Sequence, residues 1–126
     1  NPDKYRQYRS AYSRSSKGIY YKVVSRERGR RISQICSLTE FLKWYDTQKR
    51  QCVYCGIKEV DLAKSEDTIN RRTRNPRLSI DRIKPKGGYY PDNMVLACLR
   101  CNYVKSDIFS FEEMEEIGRK YLKGKT

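Results

Sequence analysis

Histidine is absent from all 126 residues, so no imidazole can take a proton and any base chemistry falls to another side chain. Long apolar runs are missing too: nothing approaches the ~20 consecutive apolar residues of a membrane-spanning helix. No basic leader followed by an apolar stretch opens the sequence, so the expectation is an intracellular protein, cytoplasmic or nucleoid-associated. Acidic side chains are scarce, 15 against 28 basic ones, and the resulting formal charge of +13 repels itself in any compact state. A polyanionic partner relieves that repulsion, which favours nucleic acid over a merely soluble basic protein. Apolar residues make up only 37% of the chain. That suffices for one small domain with an appended arm, and so lean a core calls for a staple.

The staple is legible in the cysteines. There are five, an odd number that fits poorly with a closed disulfide set. Four form the pairs Cys52-Val-Tyr-Cys55 and Cys98-Leu-Arg-Cys101. Each C-x-x-C pair can bring two thiolates to one ion in a tight turn, and two pairs complete a tetrahedral set. The competing readings are two disulfides or a redox pair, but redox C-x-x-C motifs belong to thioredoxin-like βαβ settings, which this chain lacks. Four protein ligands leave no position open for water, so zinc held by Cys52, Cys55, Cys98 and Cys101 is structural rather than catalytic. Cys36 is left over and reads as a small buried hydrophobe.

The organisation around these pairs is α+β. Residues 1–36 form a basic, tyrosine-rich arm with little clear periodicity, in which Asp3 and Glu27 alone oppose a crowd of Lys and Arg. It is either a frayed, solvated arm or a DNA-contacting one. In the second case Arg6, Arg9, Arg14, Lys17, Arg28, Arg30 and Arg31 meet phosphates, while Tyr5, Tyr8, Tyr12, Tyr20 and Tyr21 pack or stack. Residues 37–126 form the second region. Ser37-Leu-Thr-Glu40 is a capping box, and the spacing of Leu38, Phe41, Leu42 and Tyr45 predicts a helix to about residue 48. Residues 57–76 read as an exposed polar loop bearing Arg71, Arg72 and Arg74. Residues 77–83 alternate as a half-buried strand does. Residues 84–93, with Lys84, Pro85, Lys86, Gly87, Gly88 and Pro91, read as a loop. A second strand is predicted over 94–99 and a helix from near Asn102. Ser110-Phe-Glu-Glu113 opens a last helix with Phe111, Met114, Ile117 and Leu122 inward, ending at Gly124, its glutamates turned away from any phosphate.

The order strand, glycine-bearing loop, strand, helix beside the cysteine pairs resembles the HNH (ββα-metal) nucleases. The residues that carry the resemblance are Leu78-Ser-Ile-Asp81-Arg82-Ile83, then Gly87-Gly88-Tyr-Tyr-Pro-Asp-Asn93, then Cys98-Leu-Arg-Cys101-Asn102-Tyr-Val-Lys105. Arg82 stands where that family has its general-base histidine, and arginine stays protonated at any working pH. The Asp-Arg pair is similar to the PacI-type restriction endonucleases, an HNH branch in which an active-site tyrosine takes over the histidine's part. That likeness covers most of Phe41 to Leu122 apart from the loop 57–76, and leaves out the basic first forty residues. Those look more like the basic leaders of phage and mobile-element HNH nucleases.

The resemblance implies a divalent-metal-dependent DNA endonuclease, site-specific and of restriction or homing type. Asp81 and Asn102 would hold one Mg²⁺ or Mn²⁺ through oxygen. Tyr89, or its neighbour Tyr90, would activate the attacking water, or less favourably attack itself. Arg82 would neutralise the phosphate and the developing phenolate, and Asn93 would brace the loop. Double-stranded DNA would be the partner, with Lys84, Lys86 and Lys105 joining the arginines in contacting it. Cutting both strands would take a homodimer or two successive nicks. The rival is a zinc-stabilised nucleic-acid-binding module that lost its chemistry with the histidine. In a regular strand Asp81 and Arg82 point to opposite faces, so serving one cleft requires a local twist or bulge.

A tyrosine base has a kinetic signature. A phenol near pKa 10 must be brought down by about three units to ionise at neutral pH, roughly 4 kcal/mol, and a guanidinium and a cation together supply only part of that. Cleavage is expected to rise into the alkaline range with an apparent pKa above about 8. A pH-rate profile already flat from neutrality would count against the tyrosine.

Overall fold

The computed structural model describes residues 1–30 and 34–125, at positions 9, 10, 12–14 and 28–30 by their backbone alone. They fold as two compact units. One comprises Asn1–Gln48 and Gly88–Asp92, the other Lys49–Gly87 and Asn93–Thr126. The chain therefore leaves the second unit after Gly87, contributes five residues to the first, and returns at Asn93.

The first unit is helical where the sequence shows little periodicity. Helices α1 (Pro2–Arg14) and α2 (Ser16–Arg30) make up most of the basic arm. Each begins on a local signal. The Asn1 side chain accepts the Asp3 N–H at 3.0 Å with proline in the first turn, and Ser15 Oγ accepts the Gly18 N–H at 3.0 Å. The buried stripe of α2 is Ile19, Val23 and Glu27, spaced by four residues as one helix face requires. Its third member is charged, so the apolar pattern is hard to see in the sequence. Helix α3 (Leu38–Thr47) starts on the Ser37–Glu40 capping box and buries Phe41, Trp44 and Tyr45. Tyr20 packs edge-on against Phe41, ring centroids 5.3 Å apart, and donates its hydroxyl to Cys36 O at 2.8 Å. Cys36 itself is buried.

The second unit is built on an antiparallel hairpin of β1 (Ser79–Arg82) and β2 (Met94–Ala97), paired from Ser79↔Ala97 to Arg82↔Met94. Helix α4 (Leu99–Lys105) follows directly, capped at its start by Cys98. Helix α5 (Phe111–Ile117) opens on the second capping box, buries Met114 and runs into a wider turn over Gly118–Leu122. Residues 57–76 are more ordered than a polar loop implies. Glu59–Lys64 form a 3-10 helix with Leu62 buried beneath it. The Glu59 carboxylate accepts the Leu78 N–H at 3.0 Å and pairs with Arg77 at 3.5 Å. Asp67 pairs with Arg100, and Asn70 Oδ1 accepts the Arg100 N–H at 3.1 Å. One apolar residue and a few polar anchors hold this segment, and such anchors have no period to read. No helix among the described residues is long and apolar enough to cross a membrane.

Helix α5 meets the first cysteine turn closely. A Cβ at Gly118 would lie 2.5 Å from the Tyr54 carbonyl oxygen, nearer than non-bonded atoms approach. Gly118→Ala should therefore lower stability by about 1–3 kcal/mol, as overpacking does, read as a lower urea midpoint. An unchanged midpoint would mean that the helix is free to move off the turn.

A four-thiol cluster and a carboxylate clasp

The cysteine turn is shaped by its own backbone. Cys52 N–H donates to Ile57 O at 2.8 Å, and Gly56 N–H donates to Cys52 O at 3.1 Å. Gly56 has φ +83°, a left-handed conformation that glycine takes without strain. Val53 N–H donates to Leu96 O at 2.9 Å, which pins the turn to β2. The second pair lies at the start of α4, where Cys98 Sγ accepts the Cys101 N–H at 3.5 Å. All four sulfurs then fall within 4.8 Å of one another, buried, with Cys55 and Cys98 3.7 Å apart. Tetrahedral Zn–S bonds of ~2.3 Å set sulfurs about 3.8 Å from each other, whereas a disulfide requires ~2 Å. All five cysteines are free thiols. The cluster can hold a zinc ion, and it does not fit the disulfide alternative.

The electrostatics agree. Hydrogen bonds from Cys101, Cys55 and Cys98 pull the Cys52 thiol well below its ordinary value. The same network, Cys52 first, pushes Cys101 well above its own. One thiolate can be solvated by its neighbours, but a second next to it needs a cation.

Residue 54, inside the first pair, was no candidate in the sequence. Tyr54 is buried, packs on Phe111 with centroids 5.7 Å apart, and donates its hydroxyl to Asp81 Oδ2 at 2.5 Å. Burial first, then the hydrogen bond and charge of Asp81, push this phenol well above its ordinary value, so it remains a donor. On the same carboxylate oxygen lies Lys105 Nζ at 3.5 Å, its side chain only 1% exposed. Nζ also donates to Arg82 O at 3.0 Å. Lys105, expected to contact DNA, is thus buried against β1.

Asn102 lies three residues before Lys105 on α4, which places both on one helix face. Its Nδ2 donates to Ser79 Oγ at 3.1 Å, and Ser79 Oγ donates to Ala97 O at 2.8 Å. Ser79 and Asp81 are two apart on a strand and share a face. The hydrogen bonds thus occupy Asp81 Oδ2 and the nitrogen of Asn102, leaving the Oδ1 of each side chain. Two hard oxygens of this kind could hold a Mg²⁺- or Mn²⁺-type ion.

The neighbouring positions are held by the loop. Arg82 Nη1 donates to Gly87 O at 3.2 Å, so its guanidinium turns towards the loop while the adjacent Asp81 faces α4. Asn93 clasps Lys84 twice: Oδ1 accepts its N–H at 2.9 Å and Nδ2 donates to its carbonyl at 3.1 Å. Tyr89 belongs to the first unit. It is buried, donating its N–H to Gln34 O at 2.8 Å and accepting the Cys36 N–H at 2.9 Å, whereas Tyr90 is largely exposed. Gly88 permits that pairing, because a Cβ there would lie 2.6 Å from Gln34 O. Arg6, Lys17, Arg71, Arg72, Arg74, Lys84 and Lys86 are exposed, with Arg72 on the Tyr103 hydroxyl. The side chains of Arg9, Arg14, Arg28 and Arg30, and all of Arg31, lie outside the described residues.

No family model matches this chain, and comparison with curated proteins gave no match either. Among solved structures, the chain is similar to the rare-cutting HNH restriction endonuclease PacI, whose structure was described as exhibiting an extraordinary mechanism of DNA perturbation. The two are 29% identical with a TM-score of 0.67, over 82% of this chain and 74% of that one. The small two-stranded sheet, the helices around it and the cysteine cluster match an HNH-type α+β fold.

The cluster yields a direct test. The purified protein should carry a single zinc ion released by thiol-modifying reagents, and Cys98→Ser should lose it along with the cooperative thermal transition. Full cooperativity after quantitative metal removal would show that the sulfurs are only a packed core.

Proposed function

On the likeness to the HNH restriction endonuclease PacI, we propose that this chain hydrolyses phosphodiester bonds of double-stranded DNA with a divalent cation. The observation that carries the reading is the pair of Oδ1 atoms left on Asp81 and Asn102 once Tyr54, Lys105 and Ser79 have occupied the rest of each head group. When bound there, Mg²⁺ or Mn²⁺ supplies charge neutralisation at the scissile phosphate and the leaving 3′ oxygen. Zinc in the four-cysteine cluster has no open position and serves the scaffold.

The protein's own groups do the remainder. Tyr54 fixes the rotamer of Asp81 and, as a protonated donor, is a positioning residue rather than the base. Tyr89, ionised to its phenolate beforehand, takes the proton from the attacking water and returns to the phenol, a role the resemblance of Gly88-Tyr89 to the branch that lacks the histidine supports. Arg82 offsets the charge of the phosphate and of the Tyr89 phenolate before that proton arrives. Asn93 keeps the loop between Lys84 and itself closed. The arginines and lysines of the N-terminal helices and of residues 71–74, with Lys84 and Lys86, bind phosphates and set the affinity and its salt dependence. Cleavage is site-specific, of restriction or homing type, and cutting both strands takes a homodimer or two successive nicks. The rival, an inactive DNA-binding module, is disfavoured because a binding module has no need of a clasped carboxylate beside an oriented asparagine.

Supercoiled plasmid incubated with Mg²⁺ or Mn²⁺ distinguishes the two. Wild type should relax it and EDTA should stop it. Asp81→Ala should bind duplex DNA normally and leave it intact, whereas Tyr54→Phe should cut about 10- to 100-fold more slowly at unchanged DNA affinity, about 1.4–2.7 kcal/mol of barrier. Cutting by the Asp81→Ala protein would end the assignment.

A further inference from the structure

Lys105 places an ammonium beside the proposed metal site. Its ammonium lies 3.5 Å from Asp81 Oδ2 and is tethered to Arg82 O at 3.0 Å. The side chain is 1% exposed, so swinging it into water would first require α4 to lift from β1. Lys105 also closes the last turn of α4, where the helix dipole favours positive charge. Asp81 is the only carboxylate among the described residues that contacts it. Asp81 and Lys105 together are neutral, and Asn102 adds an oxygen but no charge.

We infer that Lys105 acts as a resident counter-ion that keeps the Asp81–Asn102 site weak for divalent cations until a DNA phosphate supplies the missing negative charge. This rests on the reading of Asp81 and Asn102 as the cation's ligands. A divalent ion approaching Asp81 and Asn102 meets one carboxylate already shared with an ammonium held by the fold. The repulsion is felt at low dielectric, where a neighbouring charge shifts a binding equilibrium by about one to two decades. A phosphodiester arriving with the duplex restores the balance. Cation and DNA therefore bind cooperatively, each raising the other's affinity by the same factor. The ion is recruited where there is a bond to cut, and the unloaded protein competes little for it.

The measurement is the free Mn²⁺ signal in electron paramagnetic resonance, with the Asp81→Ala protein as the blank for binding elsewhere. Without DNA, Lys105→Gln, which keeps a donor for the Arg82 carbonyl but no charge, should bind Mn²⁺ about 10- to 100-fold more tightly than wild type. Adding sonicated duplex DNA should then tighten wild type by a similar factor and Lys105→Gln far less. Equal Mn²⁺ affinity in the two proteins would overturn the inference. Should Lys105→Gln fail to fold by circular dichroism, wild type decides alone: Mn²⁺ affinity that is the same with and without DNA overturns it. Either result leaves the nuclease reading standing so long as Asp81→Ala cannot relax plasmid, and plasmid cut by that variant removes the nuclease reading instead.

Discussion

Four sulfurs within 4.8 Å of one another cannot all carry charge unless a cation sits among them, and the second unit is arranged around that constraint. The cluster joins a turn at residues 52–55 to the start of α4, segments far apart in sequence and linked otherwise by a short hairpin and scattered polar anchors. So little apolar surface is available in a chain of 37% apolar residues that metal–thiolate bonds at this cluster would take the part a larger core plays elsewhere. Of the groups in the proposal, Asp81 and Asn102 are attached to what such bonds would hold, whereas Tyr89 belongs to the first unit. Tyr54 lies between two of the cysteines and Asn102 directly after another. Lys105 is one turn further along α4, and Asp81 is gripped from both sides by Tyr54 and Lys105.

The clasp on Asp81 connects scaffold and chemistry. A carboxylate buried beside a phenol donor and an ammonium has a fixed rotamer, and the two partners share one of its oxygens. Ser79 does the same for Asn102 by taking up its nitrogen. If these two side chains hold a cation as proposed, their engaged atoms would orient them before it arrives, as outer hydrogen bonds commonly arrange.

What could be read in advance followed spacing and local chemistry. The C-x-x-C pairs, both capping boxes and the two strands are all short-range patterns, and the structure has those elements, with α4 beginning at Leu99 rather than near Asn102 and α5 ending at Ile117, short of Gly124. Four features are not legible. The N-terminal helices hid because α2 places Glu27 where a third apolar residue would have shown the period. The order in residues 57–76 rests on Glu59, Asp67 and Asn70, polar side chains whose partners lie 19 to 33 residues away. Tyr54 was overlooked because a tyrosine between two cysteines looks like filler, and nothing in one sequence couples position 54 to position 81. Lys105 was read by its charge alone, and only the fold shows that the charge points inward.

The pairing of Gly88–Asp92 with residues 34–36 has a consequence for how such a protein can change over generations. Tyr89, between the two strands, pairs through both of its backbone groups with residues 34 and 36. The segment before residue 37 is therefore not a cassette that recombination can exchange at a clean seam. A graft there would strand both backbone groups of Tyr89, so a replacement segment must bring its own splint for that loop or be inherited together with it.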